Sequence, residues 1–500
     1  MERRPVRSRR WLLALVLALG AVSTVCLWRA STLGPYVVEA PAADTALVAA
    51  VRTEHLAEAL KLATVSPEDS ARFDPSPFLE LHKLFESAYP LLHQRLTKRV
   101  VNGYSLLYRW AGSDSSLDPI VLAAHLDVVP VDSVTLHRWQ YPPFGGVVAD
   151  GFVWGRGALD DKGSLVAILE AVELLLQQGF APRRTVYLAF GHDEEVGGEA
   201  GASRLAALLA QEVRGLAFVV DEGGAVGEGL VSGVGRPVGL IGVAEKASVN
   251  VELFVEQEGG HSSMPPQRTA VGVLAGALAK LEEHPFELRL TPVVRDMFMR
   301  LAPEMPLGAR LGLANLWLVQ PLVLRAIAVD PRVAATLRTT TAPTMLSGSP
   351  KANVLAGRAS AVVNFRLLPG DTPEALIARI RDVVSDSAVN LRVVGDAGAV
   401  GVVADYHGWE YALLERTAAQ VFQGVLPVPF LTVGATDARH YSRLTKNAFR
   451  FSPLKVTPQL LATVHGTNER LAIADFRRGV LFYLELLRNL DRAVTVSRSG

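Results

Sequence analysis

The chain has 500 residues, 49% of them apolar, which is enough for a large core and for more than one domain. Its 50 Lys and Arg balance its 50 Asp and Glu, so the chain has neither the basic footprint of a nucleic-acid-binding protein nor an acidic tail. The single cysteine, Cys26, excludes a disulfide and thiolate ligands elsewhere, so any metal site must use His, Asp and Glu.

The N-terminus is typical of a targeting segment. Residues 1–10 carry five arginines, and residues 11–28 form an apolar run without a charge. A basic region followed by an apolar run predicts a signal peptide or an uncleaved membrane anchor over residues 1–30, and both remain open. Either one exports the body, so we expect a secreted or membrane-anchored protein that touches the membrane only through this segment.

Apolar runs typical of strands alternate with helical patterns in the first half of the chain. The predicted strands are 119–129, 185–190 and 216–220, and the predicted helices are 164–177 and 202–209. This alternation predicts an α/β fold in which helices sandwich a mostly parallel, mixed sheet.

The pattern changes near Glu245. Strands are predicted at 248–255, 359–367 and 390–394, and helices at 269–283 and 372–386. This arrangement predicts an inserted α+β domain over residues 245–397, within a catalytic domain formed by 45–244 and 398–500. After the insertion we expect a helix at 411–422, a strand at 430–433 and a closing helix at 476–490, with Asp475 as its N-cap.

Two polar clusters stand out in the first domain. His125 and Asp127 lie two apart at a strand end, so their side chains share a face, and Asp127 can orient an imidazole that binds metal. Asp160 and Asp161 precede a predicted helix. They can act as an ordinary helix cap, or one carboxylate can bridge two metal ions.

Three further clusters follow the same logic. Asp193, Glu194 and Glu195 come directly after a strand, where a surface loop or a nearby cation would relieve their repulsion. Asp221 and Glu222 also follow a strand, and His465 lies much later in the chain. Each cluster alone has an ordinary structural explanation. Because the ends of parallel strands meet at one edge of a sheet, their joint presence favours an active site there.

These motifs resemble those of the aminoacylase/carboxypeptidase metallopeptidase family, peptidase family M20. Within it, the text from about residue 45 onward is most similar to the N-fatty-acyl-amino-acid synthase/hydrolase branch, related to carboxypeptidase S. The segments that carry this resemblance are His125–Asp127, Gly155–Gly163, Asp193–Glu195, Asp221–Gly223, Gly260–Ser263, Asn353–Val354, Val363–Arg366, Gly434–Arg439 and His465–Glu469.

The resemblance implies two Zn²⁺ ions per chain and a ligand for each position. Asp160 would bridge the ions; His125 and Glu222 would complete one coordination shell; Glu195 and His465 would complete the other. For the fourth cluster, Asp221 stays open as an alternative to Glu222. A cis peptide bond between Asp160 and Asp161 is also expected from the family.

The resemblance also implies roles for residues that hold no metal. Glu194 would be the general base, Asp127 would orient His125, and His261 of the lid-like inserted domain would donate to the oxyanion. The substrate-binding residues it implies are Asn353, Arg366, Thr436 and Asp437. In many relatives the lid sheet forms a dimer, so we expect a monomer or a homodimer.

The function expected from this resemblance is zinc-dependent hydrolysis of the amide bond of N-acyl amino acids, with fatty acyl chains preferred, and synthesis in reverse. Hydrolysis of small peptides with a free C-terminus is the alternative. A non-catalytic scaffold would have lost at least one metal ligand, and none is lost here. The apolar stretch 311–328 could line an acyl groove, pack in the core or form a membrane-facing surface helix.

Overall fold

The computed structural model describes residues 6–395 and 401–497 of the chain. Its α-helices are α1 (Val6–Thr32), α2 (Thr53–Leu60), α3 (Ser76–Ala88), α4 (Pro90–Arg95), α5 (Lys162–Gln177), α6 (Ala202–Glu212), α7 (Ala270–Glu283), α8 (Pro292–Leu301), α9 (Leu307–Ala314), α10 (Leu316–Ile327), α11 (Pro331–Leu337), α12 (Pro373–Val384), α13 (Trp409–Val421), α14 (Pro458–Leu461) and α15 (Ile473–Ser497).

The strands, also in chain order, are β1 (Thr97–Val101), β2 (Ser105–Trp110), β3 (Ile120–His125), β4 (Val147–Ala149), β5 (Phe152–Trp154), β6 (Val186–Gly191), β7 (Phe218–Asp221), β8 (Ala225–Gly227), β9 (Val238–Glu245), β10 (Ala247–Glu256), β11 (Gly260–His261), β12 (Thr340–Ser347), β13 (Val354–Leu355), β14 (Arg358–Leu367), β15 (Asn390–Val394), β16 (Leu426–Thr432), β17 (Ala448–Arg450), β18 (Lys455–Val456) and β19 (Arg470–Ala472).

The largest sheet is mixed and has the order β1-β2-β6-β3-β7-β17-β9-β8-β18, with β16 beside β9. Its centre, β6-β3-β7-β17, is parallel. Alternate residues of β3 face opposite sides: Ile120 and Leu122 pack in the core that contains α5 and α15, whereas Val121 and Ala123 pack in the core that contains α6. Helices therefore cover both faces, and the predicted fold class is confirmed.

The predicted elements of both domains are present, with ends shifted by a few residues. The closing helix is an exception at its start. It begins at Ile473, so Asp475 lies within its first turn and pairs with Arg478 at 2.7 Å. The prediction that Asp475 is the N-cap is wrong, because the residues before Phe476 are already helical.

The inserted domain contains a four-stranded antiparallel sheet of order β12-β14-β10-β15. Along β10, Val249, Val251 and Leu253 are fully buried and pack with α7 and α12 in a core of their own. Ser248 and Asn250 point to the opposite face. This two-faced sheet is the lid-like unit that the sequence predicts.

Helices α8 to α11 interrupt that unit and pack elsewhere. Leu301, Ala302, Leu313 and Leu337 are buried in the core of the catalytic domain, not in that of the lid sheet. The predicted range 245–397 thus contains two kinds of structure. We propose that the lid proper consists of the four-stranded sheet with α7 and α12.

Candidate active site

The carboxyl ends of β6, β3 and β7 place three of the predicted clusters on one edge of the large sheet. His125 is the last residue of β3, Asp221 is the last residue of β7, and Asp193 to Glu195 follow β6. Because these strands are parallel neighbours, their ends converge, as the sequence predicts.

Asp160 lies between two histidines at this edge. Its Oδ1 is 3.0 Å from His125 Nε2, and its Oδ2 is 3.0 Å from His465 Nε2. The peptide bond between Asp160 and Asp161 is cis, as expected from the family. One carboxylate therefore presents each oxygen to a different imidazole, which is the arrangement that a bridging ligand needs.

Glu195 and Glu222 complete the predicted ligand set. Glu195 Oε2 is 3.3 Å from His465 Nε2, and one ligand atom each from His125, Asp160 and Glu195 lie within 4.8 Å of one another. Burial and the nearby Asp160 carboxylate raise the pKa of Glu222 well above its usual range. Glu222 therefore lies close enough to Asp160 to share its charge environment.

Asp127 connects two parts of the site. His125 Nδ1 donates to the Asp127 backbone carbonyl at 3.0 Å and lies 3.4 Å from its Oδ1. The Asp127 carboxylate also accepts from the backbone N–H groups of Glu194 and Glu195, both at 3.2 Å. Asp127 thus orients the imidazole and fixes the turn that carries both glutamates.

Glu469 holds the loop that carries Asp160. Its fully buried carboxylate pairs with Arg156 at 2.6 Å and accepts from the backbone N–H groups of Gly157, Leu159 and Asp160 at 2.9 to 3.2 Å. Glu469 belongs to the same motif as His465, but its partners are some 310 residues away in sequence. Sequence spacing therefore gave no signal for this role.

Buried carboxylates outnumber their partners at this edge. Glu195 Oε1, Asp221 Oδ2 and both carboxylate oxygens of Asp437 are buried without a hydrogen-bond partner among the described residues. Burial raises the pKa of Glu194 to about 8, and the nearby carboxylates of Glu195 and Asp160 act in the same direction. Such a cluster fits divalent cations, which would neutralise the carboxylates and coordinate the free oxygens.

A cleft of about 910 Å³ opens directly over Glu194, Glu195 and His465. Arg366 of the lid sheet lines it, which fits its predicted contact with substrate. Other lining residues were not predicted from the sequence: Lys246, Ser248, Asn250 and Arg439, together with Ser203, Ala206, Ala207 and Ala210 of α6.

Several predicted residues lie away from this cleft. His261 is exposed on the lid, where its Nδ1 is 2.7 Å from Ser263 Oγ, and the exposed Asn353 accepts from the next residue, Ser262, through its backbone carbonyl. Neither lines the cleft.

Two others lie beneath the cleft. Thr436 is buried and donates through both its N–H and its hydroxyl to Glu245 Oε2 at 3.0 Å, and Asp437 is buried beside it. Gly434, Ala435 and Arg439 of the same loop line the cleft instead. Direct contact of the Thr436 and Asp437 side chains with substrate is thus not what this arrangement provides.

No residue of 311–328 lines the cleft either. The stretch forms the ends of α9 and all of α10, so the cleft offers no support for an acyl groove there. The two alternatives left open, core packing and a surface helix, are both visible: Leu316 and Leu324 are buried, whereas Trp317 and Leu322 are exposed.

Comparison with known proteins identifies relatives along most of the chain. The model of peptidase family M20/M25/M40 matches residues 121–489. The probable carboxypeptidase S-like 2 of Dictyostelium discoideum is 38% identical over 443 residues, 88% of this chain and 85% of the relative. The human N-fatty-acyl-amino acid synthase/hydrolase PM20D1 is 37% identical over 443 residues, 88% of this chain and 87% of the relative.

Solved structures share the fold at lower sequence identity. The M20 family metallo-carboxypeptidase Sso-CP2 from Sulfolobus solfataricus superposes with a TM-score of 0.67 at 19% identity, covering 88% of this chain and 99% of that one. Human carnosine dipeptidase 1 superposes with a TM-score of 0.62 at 16% identity, covering 88% and 95%. Both confirm the α/β architecture.

Proposed function

The chain belongs to peptidase family M20/M25/M40 and is a hydrolytic enzyme, and from this premise we propose that it hydrolyses the amide bond of N-acyl amino acids. Fatty acyl chains are the proposed preference, because relatives named for that activity are 37–38% identical to this chain over most of its length. The observation that carries the proposal is the cleft, which joins Glu194 and His465 to the alanines of α6.

The metal sites follow from the contacts around Asp160. We assign the bridge to Asp160, one zinc ion to His125 and Glu222, and the other to Glu195 and His465. Asp160 supports this assignment because its two oxygens face different histidines. Imidazole nitrogens and carboxylate oxygens are ligands that zinc accepts. Bound zinc ions would polarise the substrate carbonyl and activate a water molecule.

Glu194 is the proposed general base. It lines the cleft, its backbone is held by Asp127, and burial together with neighbouring carboxylates raises its pKa. A raised pKa makes the carboxylate a better proton acceptor. Glu194 would take the proton of the attacking water and then deliver it to the leaving amine.

The lid and the 434–439 loop would position the substrate. Arg366 suits the carboxylate of the amino acid product, since a guanidinium binds a carboxylate through two parallel hydrogen bonds. Thr436 and Asp437 would act indirectly, by fixing the loop whose Gly434 and Ala435 line the cleft. His261 and its neighbour Asn353 would reach the carbonyl oxygen only if the lid approached the catalytic edge or a second copy supplied them.

The acyl chain would lie against α6. Ala206, Ala207 and Ala210 leave room along one wall because their side chains end at Cβ. Replacing Ala207 with Trp should therefore raise KM for an N-oleoyl amino acid and leave N-acetyl hydrolysis unchanged. Arg204→Trp, on the same helix but outside the cleft lining, is the matched control. Equal effects of both variants would place the acyl chain elsewhere.

Small peptides are the second candidate substrate, favoured by the similarity to carboxypeptidase S-like proteins. A hydrolysis panel of N-oleoyl amino acids, N-acetyl amino acids and dipeptides, each with and without a chelator, separates the two. We expect chelator-sensitive turnover with the highest kcat/KM for the N-oleoyl substrate. Preference for dipeptides would refute the acyl assignment.

A further inference from the structure

The N-terminal helix α1 exposes almost all of its apolar surface. Residues Trp11–Thr32 are long and apolar enough to cross a membrane, and their most apolar window has no buried share. Leu17 is 65% exposed and Trp11 is 76% exposed. Since the described part of the protein does not cover this surface, a lipid bilayer is the solvent that suits it.

The end of α1 is bound to the body at one place, the hairpin of α9 and α10. Asn315, between these two helices, donates from Nδ2 to the Cys26 backbone carbonyl at 3.0 Å. Arg310 of α9 donates to the backbone carbonyls of Ala30 and Leu33, both at 2.6 Å. Ala30 is only 2% exposed. The hairpin is thus the part of the body next to which α1 ends.

These contacts fix the hairpin at the depth of the apolar run. Cys26 lies two residues before the end of the charge-free stretch 11–28. Trp317 donates from Nε1 to Asn315 Oδ1 at 3.2 Å, so its indole lies two hydrogen bonds from the Cys26 carbonyl. Trp28 is also exposed. Tryptophans at this level are typical of a membrane–water interface.

The outer face of α10 is apolar along its length. Trp317, Leu318 and Leu322 are 58%, 49% and 66% exposed, whereas Leu316 and Leu324 pack inward. Residues 305–329 contain two arginines, Arg310 and Arg325, and no acidic residue. A short apolar face with tryptophan and arginine, and without acids, suits an interface with lipid headgroups.

We infer that α10 lies in the interfacial region of the same bilayer that holds α1, with Trp317, Leu318 and Leu322 among the headgroups and upper acyl chains. The body is then attached at two points, which fixes its orientation on the membrane. A second copy of the chain is the other occupant that such a face could take. The hydrogen bonds to Cys26 favour the bilayer, because they place α10 where the apolar run ends. The inference does not depend on the reaction that the enzyme catalyses.

Spin labels in the full-length protein test this directly. Cys26→Ser removes the only native thiol, and single cysteines are then introduced as Leu318→Cys and Leu322→Cys. Val134→Cys and Met345→Cys are matched controls, because both residues are exposed apolar positions far along the chain from α10, at 71% and 67%. The labelled proteins are placed in vesicles of phosphatidylcholine and phosphatidylglycerol, and collisions with oxygen and with a water-soluble nickel chelate are measured.

We expect the ratio of oxygen to nickel collisions to be several-fold higher at 318 and 322 than at both controls. A ratio equal to that of the controls would overturn the inference, and so would shielding from both reagents, which would indicate a second copy on this face. A vesicle-bound protein whose mass shows that α1 has been removed would overturn it as well. In an independent measurement, Trp317→Phe should reduce the quenching of tryptophan fluorescence by brominated lipids; unchanged quenching would contradict the inference.

Discussion

The lid sheet and the catalytic edge treat buried charge in opposite ways. On the lid, Glu252 is nearly buried and is paired with both Arg358 and Arg392, at 3.0 and 2.6 Å. At the catalytic edge, Asp437 is as buried but has no hydrogen-bond partner among the described residues. The lid satisfies its own polar groups, whereas the catalytic edge leaves carboxylate oxygens free.

This difference indicates which region depends on something outside the chain. An unpaired charge in a protein interior is costly, because it loses its hydration and gains no partner. The catalytic edge is therefore incomplete without cations, whereas the lid is a self-sufficient scaffold. The following changes should break or sharpen that contrast, in order of decreasing effect.

Glu194→Gln should have the largest effect, and only on chemistry. It removes the proton acceptor but keeps the shape of the side chain and all five proposed metal ligands. We expect kcat to fall by about 10²–10⁴-fold, the range typical of general-base catalysis. Zinc content and thermal stability, measured on the same preparation, should stay at the wild-type level. Appreciable remaining turnover would contradict the role of Glu194.

Glu469→Gln should cost the most stability. It leaves the buried Arg156 without its counter-ion and weakens the support of the Asp160 loop. Breaking such a buried pair costs about 3–5 kcal/mol. The matched control is Glu256→Gln, which breaks an ion pair of the lid in which the Glu256 side chain is 60% exposed. Urea unfolding of both variants checks the prediction, and equal losses would contradict the contrast.

Removal of the metal should loosen the catalytic edge and leave the lid unchanged. Zinc at a hundred-fold excess over its Kd should stabilise the protein by about 2.7 kcal/mol relative to the metal-free form. Hydrogen exchange locates the effect. After chelation we expect faster exchange in residues 191–198 and 221–224, and unchanged exchange in β10 and β14. Uniform loss of protection would mean that the two regions are not independent.

Arg358→Gln should have the smallest effect. Its side chain is 43% exposed and its partner Glu252 keeps a second arginine, Arg392. Pairs of this kind contribute about 0.2–1 kcal/mol. Thermal unfolding should shift only slightly, and zinc content should not change. A loss as large as that of Glu469→Gln would show that the lid depends on its charges as strongly as the edge does.

The parts of the site that the sequence predicts are those that follow apolar strands. His125, Glu195 and Asp221 could be placed on one edge because strand ends converge in a parallel sheet, and the family resemblance added the distant His465. The cis peptide bond after Asp160 was also expected from that resemblance and is present.

The remaining features depend on distances that no local pattern encodes. Glu469 supports a loop some 310 residues away, and Arg439 reaches the cleft only through the fold of its loop. The position of His261 depends on where the lid lies relative to the catalytic edge. The apolar stretch 311–328 has no clear period, so its surface position became visible only when the buried Leu324 and the exposed Leu322 could be compared.

The metal content of the purified protein is the most direct test of the central claim that the free carboxylates are there to bind cations. Elemental analysis should find two zinc ions per chain in the wild type, as a bridged two-metal site requires. In Asp160→Asn, which weakens the proposed bridge, zinc content should fall well below that value while the lid remains folded. A wild-type protein that binds no zinc, or an Asp160→Asn variant that retains the full amount, would contradict the account.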